Sequence, residues 1–309
     1  MVGIERIPKM LVKENVLCPV CDSENDEVLY EPWVDIQNPI KLYGAASGIR
    51  GTQRLVKCKN CGMIYENPRF PEAVILKSYM SSQEGGHDSQ YLMRIESFYR
   101  ALHSLQSYLP PKGGTILDIG TAGGAFLEAS KRFGYKATGL EPSDFLVEQG
   151  KKRGLQIEKG TIENLPFEQE SFDLVCLWDV IEHLTHPKEA LLKIKPLLKN
   201  GGVLLINYPD IGTRMASIAG RRFWWLLSVH LHYFTRDTIK KICSFSGFEA
   251  FYFRRYWQTL EFGYLEEMAI HLKIPLSKSL TIITPKFIQR LTIPYYASQT
   301  TTLAKVKES

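Results

Sequence analysis

From about residue 115 onward, apolar positions fall into short runs divided by Gly, Pro and polar residues, with helical periods between them. Ile116 to Ile119 reads as a buried strand and Phe126 to Phe133 as the helix after it. Lys136 to Glu141, Leu155 to Glu158 and Phe172 to Trp178 read as the next three strands. Beyond them the pattern predicts a helix at Lys188 to Leu198, a strand at Val203 to Asn207 and a helix from Arg236 to Ser244 capped by Thr235. Strands follow at Phe248 to Arg254 and Thr300 to Val306, with helices at Tyr264 to Leu272 and Lys286 to Leu291. Strands alternating with helices define an α/β fold. Upstream, residues 72–109 carry a helical pattern, and residues 1–71 hold two short strands, Glu27 to Asp35 and Arg54 to Lys57, around a Gly-rich turn at Gly44 to Gly51. Three parts are expected: a small module (1–71), a helical approach (72–109) and a main domain (110–309). Ser81 to Gly86 reads as a hinge, and Pro110-Pro-Lys-Gly-Gly114 punctuates the entry to the first strand of the main domain.

The ends of these strands carry the chemistry. The first strand ends at Asp118 and opens into Gly120-Thr-Ala-Gly-Gly124, where glycines let the backbone pass close to a ligand. The second ends in Glu141, at roughly the 20-residue spacing of a ribose-binding acid. Thr161, Ile162, Trp178 and Asp179 follow the third and fourth strands. In an open α/β sheet such ends converge on one crevice. A glycine loop alone equally describes a tight strand-to-helix turn, so the argument rests on the set. A dinucleotide site would need Gly-x-Gly-x-x-Gly facing a pyrophosphate, which Asp118 would repel. A carboxylate there suits a ligand with an ammonium group and a sulfonium.

Over its last two-thirds the chain resembles the class I S-adenosylmethionine-dependent methyltransferases. Asp118-Ile-Gly-Thr-Ala-Gly-Gly124 matches their first motif, Glu141 their ribose-binding acid, and Leu165-Pro-Phe167, Ser171 to Val175, Glu182-His183 and Lys199 to Ile206 later landmarks. The resemblance implies a Rossmann-like seven-stranded sheet. It implies S-adenosylmethionine bound by Asp118, Gly120, Gly123, Gly124, Glu141, Thr161, Ile162, Trp178 and Asp179. Two positions depart: Ala122 replaces the middle glycine, with Gly123 expected to retain the backbone freedom, and Thr161 replaces an Asp that faces the adenine amino group in many relatives.

Methyl transfer needs alignment of an acceptor and, for a hydroxyl, removal of its proton. Glu182, His183 and His230 are the candidate catalytic groups, His183 or His230 serving as base. The structural alternative has Glu182 capping a helix and His183 packing beneath the loop. In the ubiquinone-pathway and small-RNA methyltransferases that the chain resembles, an acid-x-x-Glu-His segment helps hold a divalent ion. Asp179, Glu182, His183 and His230 would be that set here, although many Glu-His relatives are not known to need a metal.

Two Cys-x2-Cys pairs, Cys18/Cys21 and Cys58/Cys61, match a four-thiolate structural zinc site, which makes the first part zinc-ribbon-like. Unconnected thiols or two disulfides are the alternative. Cys176 and Cys243 read as small core hydrophobes. At 309 residues and 44% hydrophobic, the chain can bury one α/β core beside a small module. The start lacks the pattern of a secretory leader and no uncharged run reaches membrane-span length, so a cytoplasmic protein with reduced cysteines is expected, peripheral membrane contact aside. Its net charge of +5 is dispersed, which argues against nucleic-acid binding. A four-Cys module before a methyltransferase domain also resembles bacterial sugar and polysaccharide-pathway methyltransferases, implying O-methylation of a glycan or other small-molecule acceptor; the alternatives are an RNA or quinone-type O-methyltransferase with metal assistance, or a non-catalytic adaptor whose zinc module binds a partner. Arg221-Arg-Phe-Trp-Trp-Leu-Leu227, with His230 and Tyr233 beyond it, would then cover the acceptor, or else serve as a packed or shallow interfacial patch. Oligomeric state is not defined by the sequence.

Overall fold

The computed structural model describes residues 12–34, 42–43, 49–80, 91–263, 284–289 and 291–307. Its strands are β1 (Asp26–Tyr30), β2 (Leu55–Cys58), β3 (Ile64–Glu66), β4 (Thr115–Ile119), β5 (Lys136–Glu141), β6 (Ile157–Lys159), β7 (Phe172–Trp178), β8 (Leu198–Pro209), β9 (His232–Tyr233), β10 (Phe248–Glu261) and β11 (Thr292–Val306). The helices are α1 (Glu72–Met80), α2 (Tyr91–Leu105), α3 (Ala125–Phe133), α4 (Asp144–Lys152), α5 (Pro187–Ile194), α6 (Arg214–Ala219), α7 (Arg236–Phe245) and α8 (Lys286–Gln289). The expected hinge at residues 81–86, the helix at 264–272 and most of the turn at 44–51 lie outside the described residues.

Seven strands form one sheet in the order β10-β11-β8-β7-β4-β5-β6. β4 pairs in parallel with both β5 and β7, so the chain winds outward to β6 and then returns past β4 to build the other half. That reversal opens a crevice at the carboxyl ends of β4 and β7, where ligands bind in such sheets. β11 is antiparallel to both neighbours. The central strands are buried on both faces, as their unbroken apolar runs predicted: Ile116, Leu117, Leu174, Val175, Leu204 and Leu205 are wholly inaccessible.

Helix ends obey local chemistry. Thr235 accepts from the Thr238 amide and Thr238 returns a bond to the Thr235 amide, a reciprocal cap that starts α7 where expected. α2 buries Ile95, Phe98, Leu102 and Leu105, a stripe at helical spacing that packs on the main sheet. β8 and β11 run longer than their apolar cores predicted: β8 starts early by pairing Leu198 with Phe172 of β7 and ends late against β11, and the first half of β11 pairs with β10. No helix among the described residues is long and apolar enough to cross a membrane.

A second sheet, β1-β2-β3-β9, carries the cysteines. Its fourth strand comes from far along the chain: Ile64 pairs with Tyr233 and Tyr65 with His232. The small sheet is therefore completed by residues that directly follow His230.

Candidate functional site

Two hollows meet at Gly120, at the carboxyl end of β4. The first, about 520 Å³, is walled by Asp118, Gly120, Gly123, Trp178, by Tyr91 and Arg94 of α2, by Gln149 of α4 and by Arg153 just after it. The second, about 670 Å³, is walled by Gly120, Thr161, Ile162, Asp179, Val180 and His183, with Ile75, Leu76 and Tyr79 of α1 opposite. Gly120 has φ +71°, and a Cβ there would come within 2.7 Å of Val180 Cγ2, so both the turn and the close approach require glycine.

The first hollow is built for a polar ligand. Asp118 Oδ1, Thr121 Oγ1 and Trp178 Nε1 are all buried and have no hydrogen-bond partner among the described residues. A buried polar atom left unpaired costs about 1–3 kcal/mol, so three around one hollow mark a place where a ligand supplies the partners. The Arg153 guanidinium closes the side, donating to the Gly123 carbonyl (2.9 Å) and lying 4.0 Å from the Tyr91 ring centre. The second hollow is mostly apolar at its Ile119, Leu140, Pro142 and Ile162 side, with Thr161 as a polar edge. A zwitterionic end in one hollow and a flat base in the other is the shape of S-adenosylmethionine, and the residues fit it.

Burial raises Asp118 to about 7, against the charge of Arg94. Folded apoprotein thus holds a proton that the unfolded chain loses near 3.8, and Asp118 costs stability as pH rises between those values. Pairing with an ammonium group requires the carboxylate. S-adenosylmethionine affinity is therefore expected to fall about tenfold per pH unit below 7, with proton release on binding. Calorimetry in two buffers of different ionisation heat checks this, and an unchanged slope in Asp118→Asn would assign the effect elsewhere.

Glu141 and Gly124 line neither hollow. The Glu141 carboxylate is fully buried and accepts from the Ala122 amide (2.9 Å) and the Ser143 amide (3.0 Å), bracing the glycine loop from beneath. Gly124, at φ +84°, caps α3 against Leu155. The left-handed residue in the middle of the loop is Ala122 (φ +49°), whereas Gly123 has an ordinary φ, so the expected relief at Gly123 does not occur. Such a conformation costs a non-glycine residue about 1–2 kcal/mol. Tyr91, Arg94 and Arg153 have no signature in the sequence; only the packing of α2 and α4 brings them to the loop.

Glu182, His183 and His230 come together, one ligand atom of each lying within 4.8 Å of the others. Asp179 stays apart from them because its carboxylate accepts from the Asn207 amide (2.7 Å) and the Gln299 amide (2.6 Å). Neither Glu182 oxygen has a hydrogen-bond partner among the described residues. Burial, followed by the charge of Asp179, drives its carboxyl well above the usual range. His230 is buried, which, with His183 beside it, holds it well below the usual imidazole range. His183 Nδ1 meets the Val229 carbonyl and His230 Nδ1 the Trp225 carbonyl, each at 2.9 Å. A carbonyl only accepts, so both rings carry their proton on Nδ1 when neutral and keep Nε2 basic. Of the three groups only His183 reaches the second hollow. The aromatic segment expected to cover an acceptor packs elsewhere: Phe223 and Leu226 join the core of the small sheet, and Trp225 stacks on His230.

The four cysteine sulfurs also lie within 4.8 Å of one another. Cys18 and Cys61 Sγ are 3.4 Å apart and Cys21 and Cys58 Sγ 3.6 Å, too far for disulfides. Zinc–sulfur bonds of about 2.3 Å in a tetrahedron place sulfurs roughly 3.8 Å apart, so a small contraction separates this knot from a zinc site. A shared proton raises Cys18 and lowers Cys61 to about 5. A cation would let all four ionise, and the donor set suits structural zinc.

The strand order and the cleft at its switch point define a class I methyltransferase fold. A family described as "Methyltransferase domain" matches residues 91–251, more than half of the chain, and the chain belongs to it. The Ubiquinone biosynthesis O-methyltransferase of Dinoroseobacter shibae is 36% identical over 109 residues, 33% of this chain and 44% of that protein. Its namesake from Xanthomonas axonopodis pv. citri is 30% identical over 113 residues, 34% of this chain and 47% of that one. The chain spans about half the length of the curated relatives it matches. A chain from the complex of the Haloferax volcanii Trm112 methyltransferase activator superposes with a TM-score of 0.52 at 16% identity, covering 74% of this chain and 100% of that one, a likeness of fold alone.

Proposed function

We propose that the protein is an S-adenosylmethionine-dependent O-methyltransferase whose acceptor is a small hydroxylated ring of the quinone-precursor type. The observation that carries this reading is His183: it stands on the wall of the second hollow with Nδ1–H held by a carbonyl, which makes Nε2 the basic nitrogen. A phenolic hydroxyl laid against it gives up its proton as the oxygen attacks. Bound S-adenosylmethionine supplies an activated methyl group on a sulfonium. Asp118, Thr121 and Trp178 would hold its polar end, while Thr161 and Ile162 border its base. The apolar face of Ile75, Leu76 and Leu184 favours an aromatic acceptor over a sugar ring, whose hydroxyls would go unpaired there. The matched Ubiquinone biosynthesis O-methyltransferases support the same choice, whereas nothing in the comparisons supports a sugar or polysaccharide pathway.

A second reading keeps the same reaction but places a divalent ion on Glu182, His183 and His230. The unpaired Glu182 carboxyl favours it, since a cation would ionise that group and engage it. One experiment separates the readings. Purified protein is incubated with methyl-labelled cofactor and a panel of catechols, polyprenylated phenols, nucleotide sugars and RNA, with and without chelator, and products are weighed. Methylated phenols are expected in both arms. Label on nucleotide sugars or RNA alone would overturn the acceptor class, and activity restored only by added Mg, Mn or Zn would favour the metal.

A further inference from the structure

We infer that the four-cysteine module positions the active-site histidines, with Ser228 as the residue that couples them. The inference rests on the reading of His183 as the group that handles the acceptor proton. The two carbonyls that fix the imidazole protons, those of Trp225 and Val229, lie in one loop. That loop owes its position to the N-terminal part of the chain. Ser228 donates its hydroxyl to the Leu42 carbonyl (2.9 Å) and its amide to the Ile49 carbonyl (3.1 Å), and is itself buried. The Gly51 amide donates to the Leu226 carbonyl (2.9 Å), Arg50 forms a bridge with Leu227, and the Arg50 guanidinium donates to the Arg222 carbonyl (3.0 Å). At the far end of the loop, the Glu66 amide donates to the Leu231 carbonyl (2.9 Å), and β3 pairs with β9.

The same chain segments carry the metal knuckles. Cys58 ends β2 and Cys61 lies in the turn before β3, so the strand that holds His232 and Tyr233 starts a few residues from a sulfur ligand. On the catalytic side, the Leu231 and His232 amides both donate to the Glu182 carbonyl, at 2.9 and 3.2 Å. One loop is therefore fastened to the module along one edge and to Glu182 and the two imidazoles along the other. The position of the proton on an imidazole follows the hydrogen bond its other nitrogen makes, so a loop that shifts off the module releases both rings from the Nδ1–H form. By contrast, the walls of the first hollow come from β4, β7, α2, α4 and the glycine loop, none of which touches that loop through these bonds. The arrangement thus separates the cofactor's polar end in the first hollow, which the module leaves alone, from acceptor deprotonation, which it governs.

The test is Ser228→Ala in the full, zinc-loaded chain, with nitrogen-15-labelled histidine. His183 and His230 signals are assigned from His183→Gln and His230→Gln. Wild type is expected to show Nδ1–H at both rings. Ser228→Ala is expected to lose that form at one or both, to lower kcat by about 10- to 100-fold and to leave S-adenosylmethionine affinity within twofold. Arg50→Ala, at an exposed bond to the same loop, should move the signals in the same direction by less, and it decides the matter if the serine variant does not fold. Unchanged Nδ1–H signals in both variants would overturn the inference. So would cofactor affinity falling in step with kcat. If His183→Gln retains full turnover while the tautomers still follow Ser228, the catalytic reading fails and the positioning stands.

Discussion

Cys58→Ser is expected to abolish metal binding and to unfold the small sheet. The strands of that sheet are five, four, three and two residues long, too short to persist on backbone pairing alone. What would fix them is a cation on Cys18, Cys21, Cys58 and Cys61, whose sulfurs lie within 4.8 Å of one another. Structural zinc in small modules contributes about 10–16 kcal/mol, as much as the whole stability of a typical domain. Removing one ligand therefore removes most of what holds the module. The loss would spread, since Val20, Val56, Met63 and Tyr65 are packed into the same core as Leu177, Leu204 and Ile206 of the main sheet. Elemental analysis should find one zinc per chain in the wild type and none in the variant, and the amides of β1, β2 and β3 should lose their hydrogen-exchange protection. Wild-type protein that carries no zinc and alkylates freely at all four thiols would end the assignment.

The main sheet was legible because its signals are local. Unbroken apolar runs mark strands buried on both faces, and Thr235 and Gly124 mark helix starts by rules that act within one turn. Asp118, Gly120, Trp178, Thr161 and His183 reach the two hollows because strand ends in such a sheet must converge. The rest depends on contacts distant in sequence. β9 has two residues and no period to read; it is a strand only because β3 lies beside it. Glu141 has the spacing of a ribose-binding acid, and the structure adds a role that spacing does not announce: its carboxylate accepts from the Ala122 and Ser143 amides and so braces the glycine loop. Arg94 and Arg153 are ordinary surface residues by pattern and reach the site only through where α2 and the end of α4 pack. Asp179 and Glu182, three apart in sequence, look equivalent as metal ligands until Asn207 and Gln299 take one of them away.

His183→Ala is expected to lower kcat by about 10²–10⁴-fold while S-adenosylmethionine affinity stays within twofold. His183 alone of the three clustered groups borders the second hollow, and its Nδ1 is committed to the Val229 carbonyl, so proton transfer passes through Nε2. His230 lies behind it, its ring centre 4.9 Å away, and is too buried to meet an acceptor directly. Its substitution by Ala should therefore cost less in kcat, and more in stability, because it empties a site between Trp225 and Tyr233. Its depressed pKa adds a pH signature. The unfolded chain binds a proton near 6.5 that folded His230 refuses, so folding is weakened as pH falls below 6.5, and His230→Ala should flatten that loss. Added imidazole is the discriminating reagent. Partial recovery of His183→Ala by imidazole without added metal is the outcome expected of a lost base. Recovery that instead requires a divalent ion would transfer the role to a metal on Glu182 and His230, and wild-type turnover in both alanine variants would leave acceptor alignment as the sole source of catalysis.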